Sequence, residues 1–178
     1  MNDKLIKIIN GIFFYLVWIG SIVGVQSKLP YLGLLITIAF ILFHLRIAHQ
    51  FKREIYLMIF CVLLSIIVES LLLYFNIFYY KGYFLFESPM PPLWVISLWI
   101  ALSLTTNYSM FFIKEKFYLA IFSGMLFGPW CYYICMKSKI LYFNFSILET
   151  VLILGVVWGA CLPILFYFNK KIGKVDGI

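Results

Sequence analysis

The stretch S-P-M-P-P-L-W-V-I-S-L-W-I-A-L-S-L-T-T-N-Y-S, Ser88–Ser109, opens with prolines and then runs without a charge. Proline fixes its own φ and disfavours helix in the residue before it, so the lead-in stays extended until a helix can begin at Pro92. About twenty uncharged residues are enough to cross the core of a bilayer. Trp94 and Trp99 lie near the start, where tryptophan favours the membrane–water boundary. We therefore interpret residues 92–113 as a buried central span of an integral membrane protein.

Small residues recur at every fourth position of this stretch, at Ser97, Ala101, Thr105 and Ser109. On a helix this spacing forms one narrow face against which a second helix can pack closely. Pairs of the form G-x-x-x-G occur in three other segments, at Gly20–Gly24, Gly124–Gly128 and Gly155–Gly159. Because helix association in lipid depends on close backbone approach, these ridges predict a compact bundle. A homodimer through one ridge is the functional interpretation, but we favour the alternative that every ridge packs against another helix of the same chain.

The composition excludes a soluble globular protein. Hydrophobic residues make up 65% of the 178 residues and charged residues 12%, with a mean hydropathy of +1.03, whereas soluble domains carry about 25% charged residues. The net charge of +7 comes from lysines and arginines between hydrophobic runs, so it indicates membrane topology and not nucleic-acid binding. The length predicts a single integral-membrane domain over residues 1–178.

Six hydrophobic segments predict an all-α protein, a bundle of about six transmembrane helices. They cover residues 8–25, 31–45, 55–77, 92–113, 117–136 and 146–168. Helices are expected because a segment in lipid must satisfy its own backbone hydrogen bonds. The second segment is short, so a five-span arrangement in which it is re-entrant is the alternative. The first follows Lys4 and Lys7 as a signal peptide would, but it is long and lacks a small-residue cleavage site, so we interpret it as an uncleaved span.

The basic residues predict the orientation of the bundle. With six spans, ten of the 14 lysines and arginines lie on the side of the two termini and four on the other. The positive-inside rule then places both termini in the cytoplasm of a multi-pass protein of the bacterial inner membrane. Anionic lipid head groups are the expected partners of a group of basic residues on that side. These residues are Arg46, Lys52, Arg53, Lys170 and Lys171.

Glu69 is a carboxylate deep in the third hydrophobic segment. A charged side chain there costs about 2.5–3.5 kcal/mol to insert, so it must face the bundle interior, be paired or be protonated. The functional interpretations are a proton relay, a cation site or an acid–base group. The structural alternative is a protonated carboxyl that donates a hydrogen bond to a neighbouring helix. We favour a functional role slightly, because intramembrane carboxylates are usually functional.

Several polar and aromatic side chains join Glu69 in a candidate functional site, most of them in the outer half of the bundle. The candidates are Glu69, Trp94, Trp99, Asn107, Pro129, Trp130, Tyr132 and Glu149. Pro129 frees a backbone carbonyl in the preceding turn, which is a further polar partner. Glu149 is also explained simply by its place near a helix N-terminus, where a carboxylate is favourable.

No motif predicts a cofactor, a metal site or a catalytic nucleophile. Nucleophile-elbow, zinc-protease, Walker and dinucleotide patterns are missing from the sequence. His44 and His49 are five residues apart, which does not put two ligands on one helix face, and a zinc site needs more ligands than this cluster offers. The cysteines all fall within predicted spans, and we interpret them as small apolar residues and not as redox groups.

Two motifs resemble an uncharacterised family of small six-span bacterial inner-membrane proteins, a domain of unknown function. They are P-x-W-x-x-x-x-W at Pro92–Trp99 and G-P-W-C-Y-Y at Gly128–Tyr133, and the resemblance extends over nearly the whole chain. Genes of that family often lie beside those for cyclopropane-fatty-acid synthase and related enzymes. The resemblance therefore implies a role in membrane-lipid metabolism, with lipid-modifying enzymes as partners. It implies no catalytic residues.

We therefore predict an accessory, scaffold or carrier protein linked to membrane lipids, and not an enzyme. One alternative is a small proton- or cation-coupled transporter that uses Glu69, which requires a water-accessible cavity at that residue. The other is an intramembrane enzyme in the outer half of the bundle, which requires Glu69, Trp99, Tyr132 and Glu149 to meet at a common point.

Overall fold

Residues 2–48, 50–84 and 88–175 are described by the structure, a computed structural model; His49 lies outside them. Within these ranges the chain forms seven helices and two short strands. The elements are α1 (Asp3–Gln26), α2 (Leu32–Ile47), α3 (Phe51–Tyr74), β1 (Phe78–Tyr80), α4 (Leu93–Thr105), α5 (Phe111–Lys114), α6 (Phe117–Lys137), β2 (Leu141–Phe143) and α7 (Ile147–Val175). The protein is therefore largely helical, as the hydrophobic segments predict.

Four helices, α1, α3, α6 and α7, are long and apolar enough to cross a membrane, while α2 and α4 are apolar but shorter. The helices turn apolar side chains outward, such as Leu63 and Ile67 of α3 and Phe122 of α6. Polar side chains such as Asn10 and Ser65 are fully buried. A soluble protein has the opposite distribution, with polar groups outside and apolar groups inside. The chain is therefore a membrane protein.

The helices run alternately between two ends of the bundle. At the terminal end, where α1 begins and α7 finishes, Arg53 of α3 is hydrogen-bonded to Asn169 of α7. At the opposite end, Gln26 of α1 donates to the backbone oxygen of Ser138 after α6. We call the latter the hairpin end, because the two strands lie there.

Strands β1 and β2 pair as a small antiparallel sheet in loops where no strand was predicted. Phe78 lies opposite Phe143, and Tyr80 lies opposite Leu141. The side chains of Phe78 and Tyr80 are buried while Tyr79 between them is exposed, because successive residues of a strand point to opposite faces. The pairing joins the connection after α3 to the connection after α6 and turns Tyr80 into the bundle.

The predicted helix over residues 92–113 is too long. The helix α4 contains 13 residues, which at 1.5 Å per residue is only about 20 Å of a bilayer core of about 30 Å. The hydroxyl groups of Ser103 and Thr105 donate to backbone oxygens three residues earlier, at 2.7 and 2.6 Å, and such bonds compete with continued helix. Turns and the short α5 complete the path to the terminal end.

The glycine ridges are packed against neighbours in the same chain. A side chain at Gly124 or Gly128 of α6 would meet Trp158 of α7, and one at Gly159 would meet Met125 of α6. The α1 ridge is used in the same way, because Gly20 lies against Ile36 of α2. Close backbone approach at these positions therefore holds α6 to α7 and α1 to α2, as the packing interpretation expects.

Helix α4 lies between two groups of packed side chains. One group is formed by α1, α2 and α4 and includes Val17, Phe40 and Leu104. The other is formed by α3, α4, α6, α7 and the strands, with Leu141 and Leu165 among its fully buried members. The candidate site lies in the space that α1, α4 and α6 border.

Candidate functional site

Glu69 is fully buried near the hairpin end of α3 and accepts hydrogen bonds from three other elements. Its Oε1 accepts from the Tyr132 hydroxyl at 2.5 Å and from Trp99 Nε1 at 2.9 Å. Its Oε2 accepts from the Tyr80 hydroxyl at 2.7 Å. We call these four residues the Glu69 cluster. The structure thus brings together three of the predicted candidates, Glu69, Trp99 and Tyr132, and adds Tyr80.

Ring packing holds the donors in place. The Trp99 ring stacks on Trp158 of α7 with 4.7 Å between centroids. Tyr80 meets Trp94 edge-on at 5.2 Å, and Trp94 Nε1 in turn donates to the backbone oxygen of Lys81 at 2.9 Å. Rigid aromatic pairs of this kind fix the direction of each donor towards the carboxyl group.

All three donors to Glu69 are neutral groups. Hydrogen bonds to a charged acceptor are stronger than those between neutral groups, so three of them offset part of the cost of burying a carboxylate. A buried charge also needs an opposite charge nearby, and no lysine, arginine or histidine is among the described residues that line the space beside Glu69. The cluster can therefore hold a proton or bind a cationic group that enters from outside.

A cavity of about 320 Å³ lies beside the Glu69 cluster. Its walls come from α1, α4, α6 and α7 and are nearly all apolar, with Phe14, Leu98, Leu102 and Leu162 among them. Phe127, which also lines the cavity, is more than half exposed, so the wall reaches the outer, apolar surface of the bundle. Pockets of roughly 300–1,000 Å³ with apolar walls and a few polar groups are typical small-molecule sites.

The remaining predicted site residues lie in different places. Trp94 lines the cavity, and Pro129 is buried in α6 next to Gly128, another lining residue. Trp130 is 58% exposed on the outer surface of α6, and so points away from the cluster.

Glu149 does not join Glu69. It is exposed in the first turn of α7, where its Oε2 accepts from the Ser146 backbone N–H at 3.0 Å and the Ser146 hydroxyl accepts from the Glu149 N–H at 3.3 Å. This reciprocal pair is a capping box that starts the helix. The common point that the enzyme alternative requires is therefore not formed.

Sequence reasoning missed the parts of the site that come from other elements. Tyr80 lies in a loop in sequence, and only its pairing opposite Leu141 turns it inward. Trp18 and Trp158 line the cavity from α1 and α7. A tryptophan within an apolar span is the sequence signal that could have identified them as site residues, because an indole N–H inside a membrane needs a polar partner or a ligand.

Asn107 belongs to a second polar network, at the terminal end. Its amide donates to Glu54 Oε1 at 3.0 Å and accepts from Asn169 Nδ2 at 2.8 Å and from Lys114 Nζ at 3.0 Å. His44 Nε2 lies 3.3 Å from Glu54 Oε2 without the alignment of a hydrogen bond. The network joins α2, α3, the turn after α4, α5 and α7, and it is remote from the Glu69 cluster.

Arg53, predicted to contact lipid head groups, is bound within this network. Its Nε donates to Asn169 Oδ1 at 3.0 Å and its Nη1 to Gln50 at 2.9 Å. Burial, and then the charge of Arg53, lowers the pKa of Lys114 from its ordinary value. Arg53 therefore holds α3 to α7, and Lys114 holds α5 to the turn after α4.

The chain matches no curated protein and no solved structure. A family model described as a protein of unknown function (DUF2878) matches residues 7–164, a range that includes the Glu69 cluster and every described wall of the cavity. The expected membership of an uncharacterised family is thereby confirmed. The chain belongs to the DUF2878 family of proteins of unknown function.

Proposed function

We propose that this protein is a multi-pass protein of a bacterial inner membrane that holds an amphiphile in the cavity beside Glu69, as a carrier or accessory protein of membrane-lipid metabolism. The observation that carries the proposal is the cavity itself, whose walls are nearly all apolar and which meets the Glu69 cluster. An amphiphile has the matching form, a long apolar part and one polar end.

The surroundings of the cavity support this proposal. Its walls come from α1 and α4 on one side and from α6 and α7 on the other, and the exposed Phe127 lies at its edge. A molecule dissolved in the bilayer can approach such an edge without crossing water. The apolar part of the ligand gains little free energy when it moves from lipid into an apolar cavity, because neither surrounding is water. The polar end must therefore supply much of the selectivity.

The experiment that tests the proposal compares amphiphiles retained by the purified protein and by a variant with a filled cavity. Leu98→Trp places a larger side chain on the α4 wall, and Leu126→Trp places the same side chain on the exposed surface of α6. Native mass spectrometry of the three proteins should show a bound amphiphile in the wild type and in Leu126→Trp, and a loss in Leu98→Trp. Equal occupancy in all three would disprove binding in this cavity.

The link to lipid metabolism is tested in the cell. A deletion strain should show an altered membrane-lipid composition, restored by the wild-type gene but not by the gene for Leu98→Trp. An unchanged composition would remove the metabolic part of the proposal and leave the binding part standing.

A proton- or cation-coupled transporter is the second candidate, because Glu69 lies at the cavity wall without a cation among the described lining residues. Infrared difference spectroscopy of the protein in lipid, compared with Glu69→Gln, separates the two functions. A Glu69 carboxyl that titrates and exchanges with solvent supports transport. A carboxyl band that stays constant over the accessible pH range contradicts transport, since a coupling group must exchange its proton or cation.

A further inference from the structure

The cavity combines one carboxylate with several aromatic rings, and this combination selects a particular polar group. We propose that the polar end of the bound amphiphile is a cationic ammonium group, held by the charge of Glu69 and by the faces of the surrounding rings. This inference rests on the proposed function and names the chemical class of its ligand.

The first step concerns charge. Glu69 accepts hydrogen bonds only from neutral donors, and the described lining residues contribute no cation. A carboxylate has about four acceptor positions, of which Oε1 uses two and Oε2 uses one. The fourth position and the unbalanced charge suit a ligand that brings a positive charge. An anionic head group would instead lie beside a like charge, and the described lining residues offer no cation to hold it.

The second step concerns the rings. Tyr80, Trp94, Trp99, Tyr132 and Trp158 all line the cavity within the described part of the chain. Several are fixed in mutual contact, as Tyr132 and Trp158 are at 6.3 Å between centroids. Aromatic ring faces attract cations, and cages of such rings are the known means by which proteins bind ammonium groups that donate few or no hydrogen bonds.

The third step concerns the rest of the ligand. Away from the cluster the walls are nearly all apolar, with Leu98, Leu102 and Phe127 among them, so the ammonium group must carry an alkyl part. A zwitterionic phospholipid would also bring a phosphate, and the described lining residues offer no basic side chain to pair with it. The expected ligand is therefore a simple lipophilic ammonium compound, either an amine-bearing lipid of the bilayer or a cationic compound that enters from outside.

The test compares probes that share one alkyl chain and differ in charge. Dodecyltrimethylammonium, 1-dodecanol and dodecyl sulfate are titrated into wild-type protein in nanodiscs of an uncharged glycolipid, with empty nanodiscs subtracted. Binding is followed by tryptophan fluorescence, because Trp94, Trp99 and Trp158 surround the site. The ammonium probe should bind at least about tenfold more tightly than either of the others.

Two variants that carry the same substitution, glutamate to glutamine, test the role of the carboxylate. Glu69→Gln should weaken binding of the ammonium probe by about tenfold or more and leave 1-dodecanol unchanged. Glu149→Gln, at an exposed carboxyl of α7, should bind as the wild type does. If Glu69→Gln does not fold, the probe series on the wild type alone still decides the question.

Three results would overturn the inference. Equal binding of 1-dodecanol and the ammonium probe, tighter binding of dodecyl sulfate, or unchanged ammonium binding by folded Glu69→Gln would each exclude ammonium recognition while the proposed amphiphile function stands. Failure of every probe to bind, together with an empty cavity in the native mass spectrum, would reject both. An amine-bearing lipid extracted from the purified wild type would assign the ligand to the bilayer, and ammonium binding without such a lipid would assign it to a compound from outside.

Discussion

At the residue scale, Tyr132 makes the shortest of the three hydrogen bonds that Glu69 accepts, at 2.5 Å. Tyr132→Phe keeps the ring and removes the donor, so the buried carboxyl loses one of its partners. We expect the free energy of unfolding to fall by about 1–3 kcal/mol, the range for a hydrogen bond to a charged or buried group. Reversible unfolding in mixed micelles, followed by circular dichroism, measures the change.

The control for this substitution lies on the same helix. Tyr118 of α6 is 79% exposed, so Tyr118→Phe removes a hydroxyl that faces the surroundings and should change stability by less than about 0.5 kcal/mol. Equal losses in both variants would show that the hydroxyl of Tyr132 does not stabilise the carboxyl group.

Lys114 gives the stability of the terminal end a dependence on pH. Its amino group donates to Asn107 at 3.0 Å, and burial followed by the charge of Arg53 lowers its pKa below the ordinary 10.5. The unfolded chain therefore binds more protons than the folded chain between the two pKa values, and stability rises with pH up to 10.5. We expect Lys114→Met to lose this alkaline gain, as measured by unfolding at neutral pH and at about pH 9.5.

The exposed Lys52, at the same end, provides the comparison for Lys114. The substitution Lys52→Met should leave the alkaline rise in stability as it is in the wild type. A Lys114→Met protein whose stability rises with pH as steeply as that of Lys52→Met would contradict the assignment.

The sequence predicts part of the candidate site because some residues are unusual in themselves. A carboxylate at Glu69 and the tryptophan at Trp99 stand out within apolar segments. Tyr80 is one of several tyrosines in its loop, and the pairing of β1 with distant β2 decides which of them turns inward. Glu149 was a candidate for the same site whose distance from Glu69 the sequence left open, and its local capping bonds with Ser146 hold it on the surface.

At the element scale, the contact between α6 and α7 depends on Gly124. A methyl group there would overlap the backbone oxygen of Trp158, so Gly124→Ala must push the helices apart. We expect a loss of about 1–3 kcal/mol in the free energy of unfolding. Gly155→Ala is the matched control, since its methyl group would meet its nearest neighbours at 3.6 and 3.9 Å. A Gly124→Ala protein as stable as Gly155→Ala would show that the two backbones can separate without loss.

The glycine spacing predicts that these helices approach closely, but it does not name their partners. Gly20 could face any neighbour by its spacing alone, and the fold places Ile36 of α2 there. The length of α4 could not be predicted either, because the run without a charge continues to Ile113 while hydroxyl–backbone bonds at Ser103 and Thr105 favour an earlier end. Bonds between elements, such as Ser109 to Asn10 at 2.9 Å, then satisfy polar groups of the turns that follow.

At the scale of the whole molecule, the cavity exists because α1 packs on α2 and α4 while α6 packs on α7. Composition predicts the membrane and hydropathy predicts the segments, but the space between two packed groups depends on how they meet around α4. Leu98 contacts both groups and also lines the cavity. The site is therefore a property of the assembled bundle, which no single segment specifies.

The alternating course of the helices puts the start of α1 and the end of α7 on one side of the bundle and the strand pair on the other. Combined with the distribution of basic residues, this predicts that the terminal end faces the cytoplasm. Single cysteines introduced at exposed positions into a cysteine-free chain can test it with a membrane-impermeant maleimide. We expect Ser27→Cys and Lys137→Cys at the hairpin end to react in intact cells, and Lys52→Cys and Lys170→Cys to react only after lysis.

The pair Ser27 and Lys52 carries the decisive part of this measurement, because the short α2 lies between them. If α2 crosses the membrane, the two cysteines react from opposite sides. If α2 were re-entrant, they would react from the same side and the span count would be five, which would contradict the alternating course of α1, α2 and α3. Reaction from opposite sides would instead place Glu69, near the hairpin end of α3, in the half away from the cytoplasm, and an amphiphile bound there would come from the outer leaflet.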